Sequence, residues 1–263
     1  MKPSLDKLLS HPALFRGGDS ARIRTDHLDS GFEELDTELP GGVWPVGALT
    51  ELLLPRQGIG ELRLLMPALA RLSHEGRYLA WVAPPHLPYA PALGSGGVKL
   101  TQVLLIHAES LEDRLWAAEQ ALRSGACGAV LIWPKAIDDR DLRRLQLAAE
   151  AGHCWGVLFR PVQEASRPSP AALRVRLDPA PGSVRIDIIK RRGGWALGPL
   201  WVNLDVSQAS YRVAPLPPRL GMPSSSPHSP AADLSTVVLC RHALARPALL
   251  PTAPGGPRAG DCP

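Results

Sequence analysis

The stretch "LLLPRQGIGELRLL", residues 52–65, carries the strongest local signal for the fold. An apolar run at residues 48–54 is broken by a turn containing Gly58 and Gly60, and leucines at positions 62, 65, 69 and 72 then recur at helical spacing. A strand, a glycine-containing turn and a helix in this order form the setting in which many proteins bind a nucleotide phosphate. The stretch is therefore a working phosphate loop, a degenerate one, or a plain turn.

The same alternation of strand and helix continues along the chain. Apolar strands are predicted at residues 77–83, 103–108, 127–133 and 154–160, and helices at residues 111–124 and 138–151. Three further strands, joined by turns, are predicted at residues 172–177, 184–190 and 198–203. Continuous apolar strands that alternate with helices indicate an α/β fold. We predict a mostly parallel sheet flanked by helices, with antiparallel strands at its edge.

Composition divides the chain into three parts: an N-terminal arm at residues 1–27, a core at residues 28–206 and a tail at residues 207–263. The tail holds eleven of the 28 prolines and the run "PSSSPHSP", so we expect it to be mostly disordered. Within it, "LSTVVLCRHAL" at residues 234–244 is the one stretch predicted to order. It is either a short partner-binding element or a local contact with the core.

Charge and apolar content restrict the class of protein. The net charge is +4, and 24 of the 29 basic residues are arginine. This bias indicates contact with nucleic acid or an acidic protein surface, or it reflects GC-rich coding. The sequence contains neither a signal peptide nor the roughly 20 apolar residues of a membrane helix, so we expect a cytoplasmic protein without a membrane partner. The four cysteines are spaced too far apart to predict a metal site.

The glycine turn lacks the chemistry of a phosphate loop. A loop of the form G-x-x-x-x-G-K-[ST] uses lysine to neutralise phosphate and a hydroxyl to hold magnesium. Here Gly58 and Gly60 are present, but Glu61 stands at the lysine position and Leu62 at the hydroxyl position. A carboxylate beside nucleotide phosphates in a shielded site is repelled by several kcal/mol, on the order expected from Coulomb's law. The stretch is thus predicted to be a degenerate phosphate loop.

Two other catalytic positions are also replaced. The strand at residues 127–133 ends in Trp133, where an aspartate would orient magnesium. After the strand at residues 77–83, Pro84, Pro85 and His86 occupy the place of an acid that would activate water. We therefore predict no enzyme activity, no catalytic residues and no cofactor. The rival hypothesis, an ATPase with non-standard residues, requires nucleotide binding through Gly58, Gly60 and Arg56.

Three longer segments carry a family resemblance: residues 28–70, residues 125–152 ("GACGAVLIWPKAIDDRDLRRLQLAAEAG") and residues 184–205 ("VRIDIIKRRGGWALGPLWVNLD"). Together, residues 28 to about 205 resemble the RecA-type ATPase core, and more closely the ImuA family of RecA-like accessory proteins. Proteins similar to that family also bear a SulA-like label. The resemblance implies a RecA-like fold.

The resemblance also implies partners. ImuA-type proteins accompany ImuB, a Y-family polymerase relative, and an error-prone replicative-type polymerase in SOS-induced translesion DNA synthesis. RecA itself and DNA are further candidate contacts, although the segments matching the DNA-binding loops of RecA, residues 134–139 and 160–171, are short here. The SulA-like label implies the alternative function, inhibition of cell division through the tubulin-like protein FtsZ.

One cluster near the predicted sheet edge combines cations with aromatic rings. "KRRGGW" places Lys190, Arg191 and Arg192 close to Trp195, and Trp201 follows on the next strand. Cations beside an aromatic ring can hold a phosphate backbone and stack on a base. An ordinary charged turn with a packing tryptophan is the equal alternative. These five residues are the candidate contacts to DNA or to a protein partner.

Overall fold

The computed structural model describes residues 28–134, 136–193, 198–204 and 238–239. These residues form one nine-stranded sheet with the order β8-β7-β6-β1-β5-β4-β2-β3-β9. The strands are β1 (Leu49–Leu54), β2 (Tyr78–Val82), β3 (Val103–Ile106), β4 (Cys127–Ile132), β5 (Trp155–Pro161), β6 (Leu173–Ala180), β7 (Ser183–Arg191), β8 (Leu200–Asn203) and β9 (Val238–Leu239).

Pairing is parallel from β6 across to β9 and antiparallel in the β6–β7 and β7–β8 pairs. The central strand β1 lies between β5 and β6, with Leu52 opposite Phe159 on one side and Val175 on the other. All six residues of β1 are buried, as are all six of β4. Such continuous apolar strands are typical of a parallel sheet covered on both faces.

Five helices accompany the described strands. They are α1 (Glu33–Asp36), α2 (Glu61–His74), α3 (Ala90–Ser95), α4 (Leu111–Arg123) and α5 (Asp139–Gly152). Short 3-10 turns occur at Pro40–Gly42, Leu100–Gln102 and Val162–Ser166. Within the described residues, no helix has the length and apolar character needed to cross a membrane.

The starts of α4 and α5 are capped by polar side chains. The Ser110 hydroxyl accepts a hydrogen bond from the Asp113 N–H at the start of α4, and the Asp138 carboxylate accepts one from the Asp141 N–H at the start of α5. Each of these side chains satisfies a backbone donor that has no partner inside the helix. These polar residues explain why both helices begin within a residue of their predicted positions.

The two faces of the sheet carry separate cores. Leu52 and Leu54 of β1 belong to the core that contains Leu64 and Leu65 of α2. Leu49, on the opposite face of β1, belongs to the core formed with α4 and α5. Alternate residues of a strand point to opposite faces, so one apolar strand supplies both cores.

The mixed α/β prediction is confirmed, and the three predicted edge strands lie where expected, as β6, β7 and β8. Strand bounds shift by up to three residues at β6. The sequence of residues 84–97 predicts a loop or a broken helix, and the segment contains the short helix α3. The predicted N-terminal arm lies outside the described residues, and so does the predicted disordered tail apart from Val238–Leu239.

Candidate functional site

The predicted phosphate loop lies between the end of β1 and the start of α2. Its glycines have backbone conformations that other residues rarely adopt, with φ of 78° at Gly58 and 111° at Gly60. A Cβ atom on Gly60 would also overlap the side chain of Leu204. The loop has therefore kept a geometry that requires glycine.

The Glu61 carboxylate fills the concave side of this loop. Its Oε1 accepts a hydrogen bond from the Gly58 N–H at 2.8 Å, and its Oε2 accepts from the N–H groups of Ile59 at 2.9 Å and Gly60 at 3.1 Å. Consecutive backbone N–H groups at a helix N-terminus form a binding site for an anion. In this chain the anion is a side chain of the loop itself.

This arrangement refines the prediction made from charge alone. Glu61 is 6% exposed, so its carboxylate is held inside the loop rather than extended into solvent. The three N–H donors that would face phosphate oxygens already have an acceptor. Leu62, at the hydroxyl position, is partly buried against the core that contains α2. The loop is closed by its own glutamate.

An aromatic stack lies at the residue that the sequence analysis aligned with a magnesium-binding aspartate. Trp133 follows β4 and is buried between Trp81 of β2 and Phe159 of β5. Its ring centroid lies 5.7 Å from that of Trp81 and 4.4 Å from that of Phe159, and the Trp133 and Phe159 rings are nearly parallel. Stacked aromatic rings supply apolar contact area and no oxygen ligand. The stack links the carboxyl-terminal ends of three parallel strands.

The cationic cluster lies at a different part of the sheet. In the register of β6 and β7, Arg191 lies opposite Leu173 and Lys190 lies opposite Arg174, at the start of β6. The start of β6 in turn lies opposite the first half of β1. The glycine loop follows Leu54 at the opposite end of β1. The structure thus does not bring the two sets of predicted site residues together.

Two of the predicted cations already have protein partners. Lys190 Nζ donates to the Ser169 carbonyl at 2.6 Å, and Arg191 donates to the Glu38 carbonyl and forms an ion pair with the Glu38 carboxylate at 3.6 Å. Desolvation lowers the pKa of Lys190, and the nearby charge of Arg174 acts in the same direction. Arg192 is exposed.

The structure describes one of the two aromatic residues that were predicted to contact a partner. Trp195 lies outside the described residues. Trp201 is 58% exposed on β8, directly opposite Arg185 of β7. Trp201 is therefore positioned on an open part of the sheet where a partner could contact it.

Sequence reasoning missed a buried ionic network centred on Glu51 of β1. Glu51 is fully buried, and it pairs with Arg160 at 3.0 Å and with Arg174 at 2.8 Å. Ser169 donates a third hydrogen bond to it at 2.6 Å. The sequence contains one sign of this network, because Glu51 is the single carboxylate in the mostly apolar strand "LTELLL". A buried carboxylate requires such partners because desolvation of an unpaired charge is costly.

The network also holds the segment between β5 and β6. Arg174 donates to the carbonyl groups of Glu164 and Arg167 at 2.8 Å each, and Arg160 pairs with the Glu164 carboxylate at 2.8 Å. This segment makes up most of residues 160–171, the counterpart of a DNA-binding loop in the resemblance. It is tied to the sheet by buried charged groups.

Part of this domain is similar to known proteins. A family model described as "Cell division inhibitor SulA" matches residues 47–156. Residues 47–156 form a SulA-like region. It runs from just before β1 to the start of β5 and includes the closed loop. The matches support the SulA part of the predicted resemblance, while the ImuA assignment stays a prediction.

Two curated relatives bear the same name, "Cell division inhibitor SulA". The protein from Edwardsiella piscicida is 34% identical over 98 residues, which are 37% of this chain and 58% of the relative. The protein from Photorhabdus laumondii subsp. laumondii is 32% identical over 112 residues, or 43% of this chain and 63% of the relative. The chain thus spans about three fifths of the length of these two relatives.

A solved structure is also similar. The crystal structure of SulA from Pseudomonas aeruginosa shares 27% identity, and the match covers 44% of this chain and 99% of that chain, with a TM-score of 0.37.

The SulA-like region contains most of the exposed large apolar residues of the described chain. Those inside it are Tyr78, Leu87, Tyr89, Leu111 and Leu147, whereas Ile189 and Trp201 lie outside it. Leu87 and Tyr89 have the largest exposed fractions, 74% and 73%, and both lie on the segment that joins β2 to α3. Exposed apolar side chains close together on a surface indicate a contact site for a partner.

Proposed function

We propose that this chain is a non-catalytic, SulA-like inhibitor of cell division that acts by binding FtsZ. The observation that carries the proposal is the match of residues 47–156 to the SulA family, in agreement with relatives that are named as cell division inhibitors. FtsZ is the target implied by the resemblance of the sequence to SulA-like proteins. Inhibition then requires a binding surface and no chemistry.

The closed loop supports the non-catalytic part of the proposal. Nucleotide binding would require Glu61 to leave three hydrogen bonds and then to lie beside the phosphates it repels. The Trp133 stack supplies no oxygen ligand to a metal. Together, these features favour a rigid binding platform over an ATPase.

Leu87 and Tyr89 are the proposed contact residues for FtsZ. They are the most exposed large apolar side chains of the described chain, and they belong to the SulA-like region. A few apolar and aromatic residues commonly supply most of the binding energy of an interface. Trp201 offers a matched control, because it is an exposed aromatic residue outside that region.

Assembly of purified FtsZ tests this proposal. Polymer formation, followed by light scattering and sedimentation, is expected to fall when the wild-type protein is added at equal concentration. The double variant Leu87→Ala/Tyr89→Ala is expected to lose this effect, whereas Trp201→Ala retains it. Unchanged FtsZ assembly in the presence of the folded wild-type protein would exclude the proposal.

A second candidate function is that of a RecA-like accessory protein in translesion DNA synthesis, with an ImuB-type polymerase relative as its partner. The specific observation in its favour is that strands β6–β8 and Trp201 lie outside residues 47–156, so the SulA-like region is only part of the domain. In this function Trp201 on the edge strand β8 and the cations Lys190, Arg191 and Arg192 form the contact surface. An error-prone replicative-type polymerase would be reached directly or through the ImuB-type protein.

Calorimetric titration of the ImuB-type protein separates the two candidates. The accessory function predicts saturable binding that Trp201→Ala weakens and that Leu87→Ala/Tyr89→Ala leaves unchanged. The division-inhibitor function predicts saturable binding of FtsZ that Leu87→Ala/Tyr89→Ala weakens and that Trp201→Ala leaves unchanged. Absence of binding to the ImuB-type protein would remove the second candidate.

A further inference from the structure

The two edges of the sheet are covered to different extents. Strand β8 forms one edge, and β9 lies at the other edge, beside β3. The β3–β9 pairing is parallel, with Leu104 opposite Val238 and Leu105 opposite Leu239. Only two residues of the tail therefore cover the backbone of β3 in the described structure.

An uncovered β3 would promote association with other protein chains. It is apolar along its length, with Val103 and Leu105 buried and Leu104 and Ile106 half-buried. An apolar edge strand with unpaired N–H and C=O groups is a template for pairing with another chain. The same property makes such an edge a site for strand addition by an extended peptide.

The tail is long enough to reach β3 within one molecule. The chain between Leu204 and Val238 comprises about 33 residues. Strands β8 and β9 are eight strand spacings apart in the sheet, roughly 38 Å at about 4.8 Å per spacing. A fully extended chain of this length spans at most roughly 110 Å, at about 3.3 Å per residue. The tail can therefore cover β3 in cis.

We propose that the β3 edge is a strand-addition site and that its resident occupant is the chain's own tail strand, β9. Strand β9 covers the apolar edge that lies opposite the antiparallel strands. This inference does not depend on the choice of FtsZ or an ImuB-type protein as the partner. It assigns the ordered stretch of the tail to the core of the same molecule.

The shortness of β9 makes this contact weak and reversible. Two residues contribute few backbone hydrogen bonds, and each is worth little net stability because water competes for the same groups. The tail strand thus exchanges on and off, and each opening exposes the β3 backbone.

Hydrogen exchange on the full-length protein tests the proposal. The variant Val238→Pro/Leu239→Pro removes both tail N–H groups. We expect amides of the β3 peptide to exchange faster by about three- to tenfold, which corresponds to the loss of one or two weak hydrogen bonds. The variant Ala231→Pro/Ala232→Pro, with the same two prolines placed earlier in the tail, should leave β3 exchange as in wild type. Exchange of the β8 peptide, at the opposite edge, should not change in either variant.

Two results would overturn the proposal. One is equal exchange of β3 in wild type and in Val238→Pro/Leu239→Pro. The other is loss of β3 protection when the wild-type protein is diluted, because the covering strand would then come from a second molecule.

Discussion

The Glu61 carboxylate accepts a hydrogen bond from the backbone N–H of Gly58 at 2.8 Å, within a loop that the same side chain closes. Two further N–H groups, of Ile59 and Gly60, donate to the other carboxylate oxygen. The carboxylate thus takes the place of a bound phosphate and also stabilises the N-terminus of α2, since its negative charge lies at the positive end of the helix dipole. The same carboxylate holds the loop geometry and, in the non-catalytic function proposed above, keeps a nucleotide phosphate out of the loop.

Replacement of Glu61 by alanine should destabilise the protein. The three loop N–H groups lose a charged acceptor, and the expected decrease in the free energy of unfolding is about 2 kcal/mol. Glu61→Gln keeps one acceptor oxygen and should fall between Glu61→Ala and wild type. Urea denaturation measures the three proteins, and equal midpoints for Glu61→Ala and wild type would contradict the closed-loop account.

Removal of the Glu51 carboxylate should lower the free energy of unfolding by more than removal of the Glu61 carboxylate. Glu51→Ala leaves Arg160 and Arg174 buried without their shared partner, and breaking a buried ion pair in this way costs about 3–5 kcal/mol. The matched control is Asp29→Ala, which removes the exposed pair with Arg71 and should cost less than about 1 kcal/mol. Denaturation curves compare the two variants. Similar losses would show that the buried network lacks the role assigned to it.

The aromatic stack should be a structural element of the core. Trp133→Ala removes a buried ring that contacts Trp81 and Phe159, and the expected loss is about 3–5 kcal/mol. Trp201→Ala removes an exposed ring and should change stability by about 0.5 kcal/mol or less. Thermal and urea unfolding provide the measurement. A fully stable Trp133→Ala protein would contradict the packing role of this ring.

The two buried cysteines should be unreactive in the folded protein. Burial raises the pKa of the Cys127 and Cys154 thiols, so less reactive thiolate is present at a given pH. We expect iodoacetamide at pH 8 to leave both residues unmodified until urea unfolds the chain, as followed by peptide mass spectrometry. Rapid native labelling at either position would show that it is open to solvent.

Local sequence patterns predicted the strands and helices because apolar periodicity and capping residues act over a few positions. Leucines at helical spacing located α2, and Asp138 marked the start of α5. The Glu51 network could not be predicted in this way. Its partners lie 109 to 123 residues away along the chain, so only the fold brings them together around Glu51.

The glycine loop was predicted in part. Residue types showed that Glu61 opposes phosphate, but not that its side chain turns back onto three N–H groups of its own loop. The sequence does not decide whether the tail strand contacts the core or binds a partner, because two apolar residues do not specify which strand they join. The pairing with β3 favours the core contact.

Calorimetric titration of the purified full-length protein with FtsZ, beside a titration with Mg-ATP in the same buffer, tests the central claim most directly. A closed-loop, non-catalytic division inhibitor predicts saturable heat with FtsZ at a fixed stoichiometry and no binding heat with Mg-ATP. Saturable binding of Mg-ATP without binding of FtsZ would contradict both parts of the claim.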